Sequence, residues 1–163
     1  MSLNYNRLLS LPNSIKLITL FLTLLLLLCV GNATIQPGGT GFVWATGILA
    51  LIVDLVLILL LMLELDEILF PRGSFFSWPL LECISSILFA IMYFISIWLS
   101  ANGSSKGSYA SFLFAGLACL LATSAYSFNI LIFARIWANE QQQLGPTASR
   151  LTEQAEQSSY GSS

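Results

Sequence analysis

The chain contains no histidine. That removes the commonest metal ligand and the commonest general base at neutral pH. Charge is scarce as well. Six Lys and Arg face eight Asp and Glu, together 9% of the 163 residues. A soluble domain carries roughly a quarter charged residues. With 56% apolar residues and so few charges, lipid must replace water as the solvent for most of the exterior. The net charge of -2 offers no basic patch, so no nucleic-acid partner is expected. Cys29, Cys83 and Cys119 lie in or at the end of apolar runs, which implies no disulfide framework. No cysteine is placed beside a base. The chain is therefore expected not to be an enzyme and to need no cofactor or metal.

What is present is four long apolar runs. They cover 15–30, 42–63, 78–99 and 109–134. A helix of about 20 residues, rising about 1.5 Å per residue, crosses a hydrocarbon core of about 30 Å. Lipid offers no partner to a free backbone amide, so each run must be helical. The sequence thus predicts an all-α, polytopic membrane protein, a four-helix transmembrane bundle. Its membrane domain spans 15–137, between a cytosolic segment 1–14 and a disordered cytosolic tail 138–163. The Gln/Ser-rich tail has little apolar periodicity. Short connections give an up-down-up-down order. One of them holds the tight turn Pro37-Gly38-Gly39.

Basic residues then choose the orientation. Arg7, Lys16, Arg72, Arg135 and Arg150 fall on one side and Lys106 on the other. Positive charge stays inside, which puts both termini in the cytosol. The sequons at Asn32 and Asn102 both land outside on this assignment and are candidate N-glycosylation sites. Cys83, near the cytosolic interface, is a candidate for S-acylation. The basic lead and apolar core of the first run resemble a signal peptide, but both are long for one, so the first span is expected to be retained. Glu64, Asp66 and Glu67 form an acidic cluster just inside the membrane, read as a solvated loop.

Polar residues inside the membrane are the candidate functional positions. Asp54 falls near the midplane, where a carboxylate costs roughly 2.5–3.5 kcal/mol or more. No Lys or Arg is expected at that depth, so Asp54 should be protonated and donate a hydrogen bond. Ser86, Thr123, Ser124 and Tyr126 are at compatible depths. Glu82, Ser86, Phe89, Tyr93, Ser96 and Ser100 recur at intervals of three and four, which puts them on one helix face. Ser111, Ala115, Ala118, Ala122 and Ala125 form a small-residue seam that lets helix backbones approach, within the bundle or between copies in a homo-oligomer.

The stretch Phe76-Ser77-Trp78-Pro79-Leu80-Leu81-Glu82 is similar to the aromatic-x-Trp-Pro-Leu-x-acid mouth of the third span in the chemokine-like-factor branch of the MARVEL family. Phe114-Ala115-Gly116-Leu117-Ala118 and Ala122-Thr123 add looser resemblance. The outer loops carry no Cys pair and no Trp-Gly-Leu-Trp, unlike claudins, and no Cys-Cys-Gly, unlike tetraspanins. The resemblance implies a non-enzymatic protein of the plasma membrane and vesicles. It would act in vesicle trafficking, membrane apposition or stabilisation of partner membrane proteins, with the lipid bilayer and partner transmembrane helices as its contacts. It carries no catalytic residues. The alternative is a small proton-coupled transporter using Asp54.

Overall fold

A computed structural model describes residues 14–63, 77–106 and 109–160, with side chains in the last stretch to residue 143. Four helices make up nearly all of it: α1, Ser14–Gly31; α2, Thr40–Met62; α3, Trp78–Ser104; and α4, Tyr109–Tyr160. Each holds a segment long and apolar enough to cross a membrane. The chain is an all-α, multi-pass membrane protein. Arg7, Arg72, Phe76 and the acidic cluster Glu64, Asp66 and Glu67 lie outside the described residues, as does the side chain of Arg150.

Local chemistry sets the helix starts. Gly39 precedes α2 at φ 98°, a left-handed conformation that costs other residues about 1–2 kcal/mol. Its carbonyl accepts from the Phe42 amide at 3.0 Å, and the Thr40 hydroxyl closes the preceding turn on the Pro37 carbonyl at 2.6 Å. Gly39→Ala is accordingly expected to lower bundle stability by about 1–2 kcal/mol, read by unfolding in mixed micelles. An unchanged midpoint would show that this turn tolerates a side chain. Ser77 caps α3 in an extended conformation, with Pro79 in the first turn, where a missing amide hydrogen is harmless.

The helices form a ring in sequence order. α1 packs on α2, α2 on α3 and α3 on α4, and α1 with α4 closes the ring. The α3–α4 contact is the most extensive. Small residues permit it: a Cβ on Gly103 would sit 2.8 Å from the Phe112 ring. The Lys16–Glu82 contact and the packing of Phe133 against Trp78 place the start of α1 and the inner part of α4 at the Trp78 end of the bundle.

The molecule is apolar outside and polar on its axis. Phe21, Ile52, Ile91, Phe94, Trp98 and Phe128 are exposed, while Lys16, Thr23, Asp54, Glu82, Ser86 and Asn129 are buried. This inversion suits lipid as solvent. The buried face of α3 has the expected membership, Glu82, Ser86, Phe89, Tyr93, Ser96 and Ser100, each no more than 2% exposed. Ala115, Ala118 and Ala122 are buried in the main core, so these members of the seam serve the bundle itself. Ser111 and Ala125 are half-buried at its ends.

Two boundaries differ from the sequence reading. α3 continues to Ser104, so Asn102 is helical rather than in a loop. The α3–α4 packing at Gly103 lies beyond the apolar run and extends the helix. α4 continues to Tyr160, where a disordered tail was expected from residue 138. At about 1.5 Å per residue its 52 residues reach about 78 Å. The tail lacks apolar periodicity, and the helix continues through Gly145-Pro146 against their low propensity; only beyond them do Ala148, Leu151, Glu153, Gln154 and Ala155 favour it.

Candidate functional site: a polar column on the bundle axis

The first turns of α1 bring an unexpected charge inward. Lys16 is 3% exposed and its Nζ lies 2.7 Å from Oε2 of Glu82, itself fully buried. The sequence reading counts Lys16 only among the basic residues of the cytosolic side, where a lysine can reach the headgroups. Glu82 reverses that preference. A carboxylate one turn inside α3 faces α1 at the same depth, and pairing is better than leaving either group alone in the apolar core.

Asp54 finds its partners on two other helices. Its Oδ2 accepts from the Tyr126 hydroxyl at 2.8 Å and lies 2.9 Å from Thr19 Oγ1, which donates to it. In its ionised form the carboxyl accepts both hydrogen bonds; the donor role expected of it requires that it hold a proton, with Thr19 then turned to the Lys16 carbonyl at 3.0 Å. Lys16 attracts Asp54 electrostatically, while its ion pair is with Glu82. Thr19 completes the site and lies on a face of α1 that a Leu-rich run conceals. Its signal was the spacing Lys16, Thr19, Thr23, three polar residues at intervals of three and four.

The remaining candidates sort cleanly. Tyr126 is the partner of Asp54. Ser86 instead accepts from Asn129 Nδ2 at 2.8 Å. Thr123 and Ser124 donate to carbonyls of their own helix, those of Cys119 and Leu120. Tyr93 joins the Thr23 hydroxyl at 2.7 Å and stacks on Tyr126, ring centroids 5.6 Å apart. Thr23 has one hydrogen and gives it to the Thr19 carbonyl at 2.8 Å, so Tyr93 is the donor in that pair.

These contacts run across the ring. Lys16–Glu82 and Thr23–Tyr93 join α1 to α3; Asp54–Tyr126 joins α2 to α4. Both diagonals are tied, which side-by-side packing alone would not do. Buried apolar groups flank the column at each end. Leu57, Leu61, Trp78 and Phe133 lie at one, and Leu26, Val30 and Val43 at the other.

Asp54→Asn keeps an oxygen for Tyr126 and Thr19, whereas Asp54→Leu strands both hydroxyls. The Leu variant is expected to lose about 1 kcal/mol, the scale of interhelical hydrogen bonds in membranes, and the Asn variant less. Unfolding in mixed micelles measures this. Equal losses would remove the hydrogen bonds from the account.

Modification candidates lie at the edges. Asn32 is exposed just past α1, its Nδ2 donating to the Leu28 carbonyl at 3.0 Å. Asn102 is exposed on the last turns of α3. Cys83 is half-buried against the cluster of Leu57, Leu61, Trp78 and Phe133. Among the described residues, no three His, Cys, Asp or Glu gather as metal ligands. No protein family, curated protein or solved structure matches the chain.

Proposed function

We propose that this multi-pass membrane protein is a non-enzymatic, MARVEL-like protein that associates laterally with other membrane proteins. It would thereby stabilise them, or act in vesicle trafficking or membrane apposition, at the plasma membrane and on vesicles. Both termini face the cytosol in this reading, following the distribution of Lys and Arg. One observation carries it. The polar side chains of the membrane interior are turned inward onto one another, so the outer faces offer partners a rigid apolar surface. Trp98, Phe94, Phe21 and Phe128 are the most exposed large side chains of these faces. Association in lipid rests on shape and close packing, which a rigid bundle presents well. The Trp78-Pro79-Leu80-Leu81-Glu82 resemblance points the same way. N-glycans on Asn32 or Asn102 and an acyl chain on Cys83 are compatible additions.

The buried apolar groups at both ends of the column favour this reading over a proton-coupled transporter. The test is depletion and rescue. Proximity labelling in intact cells should identify membrane proteins whose surface abundance falls when the chain is depleted and returns on re-expression. The same purified protein in sealed vesicles should pass no more protons than empty vesicles. Unchanged partner abundance together with proton flux that Asp54→Asn abolishes would overturn the reading in favour of the transporter.

A further inference from the structure

The axial column holds an odd number of charges. One ammonium, Lys16, faces two carboxylates, Glu82 at 2.7 Å and Asp54 within electrostatic reach, and the carboxylates repel each other. With both carboxylates ionised, the closed core carries one uncompensated negative charge, which is costly in low dielectric.

The unpartnered atoms point to the same deficit. Glu82 Oε1 and Asn129 Oδ1 are buried and have no hydrogen-bond donor among the described residues. Asn129 is tied to Ser86, one turn along α3 from Glu82. Both orphans are acceptors. What the site lacks is hydrogen, or positive charge.

The hydrogen bonds of Asp54 are built to accept it. Thr19 Oγ1 has one hydrogen and two acceptors in range, Asp54 Oδ2 at 2.9 Å and the Lys16 carbonyl at 3.0 Å. When Asp54 is ionised, Thr19 donates to it. When Asp54 carries a proton, it donates to Thr19, which passes its own hydrogen to the Lys16 carbonyl. Tyr126 donates to Asp54 in both states. Neither state strands a polar group of this set, and neither requires a side chain to move.

We propose that the Lys16–Asp54–Glu82 cluster is a binding site for one exchangeable proton, which the folded bundle retains at neutral pH. Lys16 from α1, Asp54 from α2, Glu82 and Tyr93 from α3, and Tyr126 from α4 are the titratable groups facing it. The tyrosines remain neutral donors. The site is on the axis, away from the lipid-facing surface, so it stands independently of the lateral-association reading. Proton binding here requires no transport.

The sign follows from linkage. Between about pH 6 and pH 8 an unfolded chain has both carboxylates ionised, and the folded chain holds one more proton. Stability then drops as pH rises through this range. The folding equilibrium constant of the full chain, measured by detergent unfolding in bicelles, should fall about tenfold per pH unit. Asp54→Asn and Glu82→Gln each leave one carboxylate against one ammonium, so each should abolish the slope. Lys16→Met leaves two carboxylates unopposed and should steepen it to about a hundredfold per unit. A protonated-carboxyl stretch in the infrared spectrum of the unmodified protein at neutral pH supplies a readout that needs no variant. A flat wild-type profile, a slope surviving in both single neutralisations, an absent infrared band, or dependence on sodium rather than pH would each overturn the proposal.

Discussion

Lys16→Met is expected to cost the bundle about 3–5 kcal/mol at neutral pH, the largest loss for any single cation among the described residues. Lys106→Met, at an exposed site on the opposite end, should stay within about 0.5 kcal/mol. The difference lies in what each removal leaves behind. Without Lys16, the buried carboxylate of Glu82 loses its counter-charge, and among the described residues no other ion pair reaches it. Asp54 loses the same attraction. Without Lys106, water and headgroups take over. Reversible unfolding in bicelles measures both. Equal, small effects would mean that Lys16 reaches the headgroups in the membrane and that the axial pair does not form.

The second large effect is expected at Ala118, 1% exposed in the main core on α4. Ala118→Leu adds three heavy atoms among Phe89, Tyr93 and Leu22 of the same cluster, which are themselves buried. Overpacking of this kind costs about 1–3 kcal/mol, since neighbours must leave their rotamers. The same addition made outward has no such penalty. Leu121, exposed to lipid one turn away, should accept Ala or Phe with little change. Steady-state abundance in cells and the unfolding midpoint should both fall for Ala118→Leu alone. A normal midpoint with lost partners would instead put this seam on a docking surface.

The helical membrane architecture was legible because lipid simplifies the rules. Apolar runs of sufficient length must be helices, and short connections order them. The α3 face from Glu82 to Ser100 could be read from spacing, because polar residues among apolar ones mark a buried stripe in a membrane protein. Ala115, Ala118 and Ala122 could be read by size. Lys16 could not. Its position near a helix end fits both a headgroup-seeking lysine and a buried partner for Glu82, and only the facing of α1 against α3 decides. Thr19 was hidden for the same reason. A single hydroxyl in a leucine run gains meaning only when Asp54 is seen opposite it. Asp54 is legible by its cost, but its partners are not, because Thr19 and Tyr126 sit on α1 and α4 and the sequence gives no pairing between helices. The end of α3 follows packing at Gly103, which the apolar periodicity does not report, and α4 runs on through Gly145-Pro146, a pair that reads as a break in the sequence.

The central claim is that buried polar contacts across the ring hold these four spanning helices together. A double-mutant cycle on Lys16 and Glu82 tests it most directly. Lys16→Met, Glu82→Leu and the combined variant are unfolded in bicelles at one pH. Each single variant should be strongly destabilised, and the combined variant should recover most of the loss, giving a coupling of about 3 kcal/mol or more. Additive losses, with coupling near zero, would contradict the account.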